Sequence, residues 1–206
     1  MKYLDFYRTF SALGCFDVNQ VKMVQPDFDR SALTRWLAMG YIVQLKNGVY
    51  AFKEWTSTHG VDMIAANLMY RPSYISLHSA LAHYGMIPEF VAHTTSVTTL
   101  KTATFNNELG TFAYRHLKAE FFWGYRFIDS ASQRKILMAS PEKALLDLLY
   151  LTPGLKSEDD MLQLRLDEDY MASEFDLDQV RLYLDRFNSK ALNKRFNTLQ
   201  KVYFND

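Results

Sequence analysis

Residues 17–52 constrain the fold more tightly than any other stretch, because two short helical patterns run straight into a hairpin signal. Asn47-Gly48 stands between two strand-like runs, residues 41–45 and 49–52. A type I′ turn needs positive φ at both central residues, and Asn-Gly tolerates it, so a tight hairpin is expected here. Upstream, Asp17 and Gln20 have the spacing of a capping box, in which the carboxylate accepts from the amide three residues on and the glutamine reaches back. The helix opening there should end near Val24, since Pro26 disfavours helical geometry at Gln25. Asp27 or Asp29 can cap the helix that follows, over residues 30–39.

Advancing each residue of that helix by about 100° separates it into two faces. Arg30, Ser31, Thr34, Arg35 and Ala38 fall on one arc, and Ala32, Leu33, Trp36, Leu37 and Met39 on the other. The apolar arc can be buried, leaving guanidinium and hydroxyl groups for something outside. Tyr3, Phe6, Tyr7, Phe10 and Leu13 recur at helical spacing before Gly14 and supply a preceding helix. Together these features predict a winged helix-turn-helix DNA-binding domain over residues 1–55. Arg30, Ser31, Thr34 and Arg35 would face a DNA major groove, and Lys46 and Asn47 would stand at the wing tip beside a phosphate. Plain solvent accepts the same polar arc and stays open as the other reading.

The polar run Thr56-Ser57-Thr58-His59-Gly60 marks a boundary, after which residues 56–206 read as an α+β domain. A helix over 61–70 is stopped by Pro72, and a second over 74–84 ends at Gly85. Residues 94–101, 111–117, 120–128 and 134–139 are rich in Thr, Val and aromatics, with Asn106-Asn107 and Asp129-Ser130 as turn signals. Their short connections predict a small antiparallel sheet. Ser140-Pro141 opens the helix that should pack on it, through Leu151. A helical C-terminal extension, about 156–206, contains an acidic piece over 159–166, an amphipathic helix over 177–187 and a basic helix after Ser189. That last helix displays Lys190, Lys194, Arg195 and Lys201.

Formal net charge is zero, so no global basic field announces nucleic acid. Local patches differ: residues 1–55 carry seven Lys/Arg against five Asp/Glu, 156–178 two against nine, and 179–206 six against two. The single cysteine, Cys15, has neither a disulfide partner nor a metal-ligand companion and is expected to fill core. No stretch of about 18 apolar residues and no signal-peptide run occurs, so a cytoplasmic protein without membrane contact is expected.

His78 and His83 lie five apart, about 140° around a helix, which is wrong for paired zinc ligands. No G-x-S-x-G elbow, Walker loop or dinucleotide fingerprint occurs. Glu158-Asp159-Asp160 and Asp167-Glu168-Asp169 could in principle hold magnesium for a nucleic-acid enzyme. They lack the Gly-Ser helix start of nucleotidyltransferases and the Asp/Glu-x-Lys strand of restriction-type nucleases, and a solvated acidic face is expected instead. Catalytic residues, metal and cofactor are all expected to be none. Alternation over 121–127 sends Phe121, Trp123, Tyr125 and Phe127 to one face, where core is expected over a stacking platform for single-stranded nucleic acid.

Three segments then carry a family resemblance. Ser31-Ala32-Leu33-Thr34-Arg35-Trp36-Leu37 with Gly48-Val49-Tyr50, then Ser76-Leu77-His78-Ser79-Ala80-Leu81, then Ser140-Pro141-Glu142-Lys143-Ala144-Leu145-Leu146-Asp147, resemble in this order the AbiEi antitoxins over roughly residues 5–155. These are transcriptional regulators of bacterial abortive-infection (type IV) toxin-antitoxin systems. The resemblance implies a non-enzymatic repressor that binds double-stranded operator DNA at an inverted repeat and regulates its own operon. It also implies functional pairing with a nucleotidyltransferase toxin without a stable complex. A metal-dependent nucleic-acid enzyme using the acidic clusters and a winged-helix protein-interaction module remain the competing readings.

Overall fold

A computed structural model describes residues 2–88 and 92–204. The chain opens with α1 (Tyr3–Phe10), prolonged by a 3-10 turn (Ser11–Leu13), then β1 (Cys15–Asp17), α2 (Val18–Val24), α3 (Ser31–Ala38), β2 (Ile42–Lys46) and β3 (Val49–Phe52). The strands form a three-stranded antiparallel sheet in the order β1-β3-β2. Helix, strand, two helices and a hairpin in this order are compatible with a winged helix-turn-helix.

The local chemistry follows the side chains. Asp17 and Gln20 make both bonds of the capping box at the start of α2. The hairpin forms, but not with the type I′ turn expected. Among its two turn residues only Gly48 takes positive φ, at 79°, and a bulge between Gln44 and Lys46 absorbs the register shift. β1 escaped the sequence reading because three residues are too short to show a period.

Every residue of β3 is buried, which distinguishes this sheet from one with a wet face. Phe16, Ile42, Tyr50 and Phe52 turn toward α1, α2 and α3, packing with Phe6, Phe28 and Trp36. Cys15, Val43, Val49 and Ala51 turn the other way and join a second, larger core with the rest of the chain. Cys15 is core filler, as expected, and burial pushes its thiol up to about 12.

After a 3-10 turn (Lys53–Ser57) come α4 (Val61–Met69), β4 (Ser73–Ile75), α5 (Leu77–His83), β5 (His93–Thr98), β6 (Ala103–Asn107) and β7 (Gly110–His116). A further 3-10 turn (Ala119–Phe121), β8 (Tyr125–Ile128), β9 (Ile136–Ala139) and α6 (Pro141–Leu151) follow. The six-stranded sheet runs β6-β7-β5-β4-β9-β8. Its β6–β7 and β8–β9 hairpins are antiparallel, as their short connections favour, and β4–β5 is antiparallel across a longer connection through α5, whereas β4–β9 and β5–β7 are parallel. Tyr74 and Ile75, expected in a helix, belong to β4, because sheet pairing on both sides outweighs local helical spacing. The Asn106-Asn107 turn also moves: β6 runs through Asn107, whose side chain instead accepts from the Leu109 amide at 2.9 Å.

Ser140 caps α6 and Pro141 occupies its first turn, as read from sequence. Residues 141–149 of this helix are buried without interruption. The remaining helices are α7 (Glu158–Leu162), α8 (Glu168–Ser173), α9 (Leu177–Phe187) and α10 (Lys190–Tyr203). The mixed α+β class is therefore the one expected.

Candidate nucleic-acid interface

The buried side of α3 fixes what its other side presents. Trp36 packs against Phe6 at 4.6 Å between ring centroids, Tyr3 at 5.4 Å and Phe28 at 6.0 Å, with Ala32 and Leu33 also buried. Arg30, Ser31, Thr34, Arg35 and Ala38 consequently face out. Met39, expected on the buried arc, lies past the helix end and is 61% exposed.

Ser31 is less available than its exposure suggests. Its amide donates to Asp29 Oδ1 at 2.8 Å and its hydroxyl donates to the other carboxylate oxygen. These bonds, with the nearby Arg35 charge, hold the Asp29 carboxyl below the usual range. Asp29 thus serves the helix start as expected, although Arg30 is the residue at the cap position itself. Arg30, Thr34 and Arg35 make no side-chain hydrogen bond or ion pair among the described residues. They are the groups of this face left for an external partner.

Lys46 requires a correction. Its ammonium turns inward, donating to the Met69 carbonyl at 3.1 Å and lying 4.4 Å from the Phe105 ring centroid and 4.8 Å from that of Tyr70. Burial pushes its pKa down. Asn107 Nδ2 donates to the Leu45 carbonyl at 3.1 Å alongside. The base of the hairpin turn is therefore held against β6 and α4, and the Lys46 ammonium is engaged there instead of extending from the tip. Asn47 is exposed at the turn beside it. The basic C-terminal helix is likewise divided in role: Lys190, Lys194 and Lys201 are exposed, whereas Arg195 donates to the Leu149 carbonyl at 3.1 Å.

The acidic segments act locally. Ser157 and Asp160 form a capping box at α7, Asp167 caps α8 and Asp176 caps α9. Among the described residues, no group of three or more His, Cys, Asp and Glu is placed to share a metal ion.

A buried polar network went unread in the sequence. Lys143 donates to Asp147 and, at 2.8 Å, to the Tyr74 hydroxyl, while Asp147 Oδ2 accepts from Tyr74 at 2.9 Å and from Ser76 at 2.8 Å. Lys143 and Asp147 are both 0% exposed. Trp123 and Phe187 present their rings to the ammonium at 5.0 Å and 4.9 Å. Burial pushes Lys143 down and Asp147 up, each toward its neutral form, and their mutual attraction opposes both shifts. The i, i+4 spacing of Lys143 and Asp147 was visible beforehand, but nothing in it distinguishes a buried pair from a surface one.

The aromatic run over 121–127 also departs from expectation. Phe121 and Trp123 are core, against Phe187 and Tyr183, but Tyr125 and Phe127 are 39% and 67% exposed. A 3-10 turn and Gly124, at φ 74°, interrupt the strand and break the alternation. Gly124 is needed there, because a Cβ would stand 2.9 Å from Lys143 Cγ.

Among the described residues, no helix is long and apolar enough to cross a membrane. No protein-family model and no curated protein matches the chain.

Proposed function

We propose that the chain is a DNA-binding transcriptional repressor that acts as the antitoxin of a type IV, AbiEi-like toxin-antitoxin system and regulates its own operon. The observation that carries the DNA-binding part is the outward face of α3, where Arg30, Thr34 and Arg35 stand without side-chain hydrogen bonds or ion pairs among the described residues, over a buried Trp36 anchor. Arginines on the outward face of such a helix can donate bidentately to guanine, and a threonine methyl or hydroxyl can meet a neighbouring base. The antitoxin part rests on the ordered resemblance of three segments. Two of them meet physically, since Ser76 of one donates to Asp147 of the other.

Electrophoretic mobility shift at fixed salt, with the inverted repeat upstream of the operon, tests the face. Arg30→Ala or Arg35→Ala should weaken binding by about 1–3 kcal/mol if the residue reads one guanine. Lys46→Ala should leave the salt dependence of binding unchanged, because its ammonium is already bound within the protein. Operator affinity untouched by both arginine changes would remove α3 as the reading element. A neighbouring nucleotidyltransferase gene, whose toxicity is relieved by co-expression of this chain, would test the antitoxin role.

A further inference from the structure

A groove of about 380 Å³ lies between α4 and the edge strand β8. Its volume falls in the range of about 300–1,000 Å³ typical of small-molecule sites. Arg71, Arg134 and Lys135 line it together with Tyr125, Phe127 and Ser73. We propose that this groove binds a nucleotide, with its phosphate held by the three cations and its base stacked on Phe127 and Tyr125.

Several independent observations converge on that ligand. Phe127 and Tyr125 share one face of β8 and leave ring surface in solvent, available for a base to stack on. Tyr125 is held in place by stacking on the buried Tyr74 at 4.8 Å and 28°.

The cations are positioned rather than consumed. Arg134 is fixed by donating Nε to the Cys15 carbonyl at 2.9 Å and Nη2 to Gln20, which leaves further guanidinium donors. Arg71 is anchored through Nε on the Asn67 carbonyl, with Asp17 at 3.6 Å. The Lys135–Asp129 pair, at 3.5 Å, is exposed on both sides and easily exchanged for a phosphate. Burial, and then the neighbouring Arg71 charge, pull Arg134 down from its ordinary value, and an anion between the two guanidiniums reverses the repulsion. An aromatic pair beside basic groups is the chemistry of base stacking plus phosphate neutralisation. The nucleotide can be free or an unpaired residue of a single strand, and the two sources separate experimentally.

Isothermal titration of the full chain with AMP, GMP, CMP and UMP, with inorganic phosphate and with a short oligothymidylate tests the assignment. At least one nucleotide or the oligonucleotide should bind, with inorganic phosphate weaker by about fivefold or more, the lower bound of ring–base stacking. Phe127→Ala should weaken the same ligand by about fivefold or more while the exposed position leaves folding intact. Binding of the oligonucleotide alone assigns the ligand to a strand, and binding of mononucleotides assigns it to the free pool. Absence of binding by every probe at millimolar concentration, phosphate binding as tightly as the nucleotides, or indifference to Phe127→Ala each overturns the proposal. Operator shift by Phe127→Ala should match the unchanged chain, so failure here and failure of the α3 face are distinguishable.

Discussion

Lys143 and Asp147 are the residues whose placement most departs from what their chemistry favours. Two opposite charges withdrawn from water have a desolvation cost that their attraction offsets only when every remaining donor and acceptor is satisfied. Tyr74 and Ser76 supply the bonds to the carboxylate, and Trp123 and Phe187 ring faces enclose the ammonium. Lys143→Met leaves an unpaired buried carboxylate and should cost about 3–5 kcal/mol, or a fall of roughly 6–20 °C in Tm. Asp147→Leu added to Lys143→Met should recover much of that loss, since replacing both partners with apolar groups removes the uncompensated charge. Differential scanning calorimetry of the single and double variants checks this, and a double variant no better than the single would refute the charge account. The same pair shows a limit of sequence reading at this scale: an i, i+4 Lys and Asp looks identical whether the helix face is wet or dry.

Individual elements divide by whether their determinants are local. α2, α6, α7 and α10 begin where Asp17, Ser140, Ser157 and Ser189 accept backbone amides, and such caps are written in a few adjacent residues. Ser140→Ala should therefore cost about 0.5–2 kcal/mol through the lost bond to the Lys143 amide, and Ser140→Thr should retain most of it. Thermal unfolding reads the difference, and equal Tm values for the alanine and threonine variants would deny the cap its role. β4 and the turn before β8 obey non-local rules instead. Tyr74 and Ile75 become strand only because β5 and β9 flank them, and Phe127 reaches solvent only because Gly124 gives way to the Lys143 side chain. Neither the flanking strands nor that close approach has a signature within a short window.

For the molecule as a whole, the first three-stranded sheet is the hinge of the architecture, because both its faces are buried. Cys15, Val43, Val49 and Ala51 belong to the large core shared with α4. Side-chain ties reinforce the seam: Lys46 to the Met69 carbonyl, Asn107 to the Leu45 carbonyl, Arg134 to the Cys15 carbonyl and Lys53 to Glu108. The larger hydrophobic cluster therefore crosses the boundary expected near residue 56, drawing on strands before it and on helices and strands after it. Unfolding in denaturant should be one transition, with a variant retaining only Trp36, in the first cluster, and one retaining only Trp123, in the second, giving coincident midpoints. Well-separated midpoints would show that the seam does not couple the halves. Residues 1–55 expressed alone should aggregate or remain unfolded, since the face under α4 would be wet.

By itself the sequence determined the starts of α2, α6 and α10, the Asn47-Gly48 hairpin, the α+β class and the polar arc of α3 with Arg30, Ser31, Thr34 and Arg35. Each depends on periodicity or on bonds spanning a few residues. Only the tertiary structure decided that Asp29 occupies the Ser31 hydroxyl, that Lys46 turns inward, and that Lys143 and Asp147 share a dry pocket. It alone decided, too, that Arg71, Arg134 and Phe127 line one groove. Those outcomes depend on which surfaces meet across long separations in the chain. Burial and pairing, which set the availability of each charge, exist only after those surfaces have met.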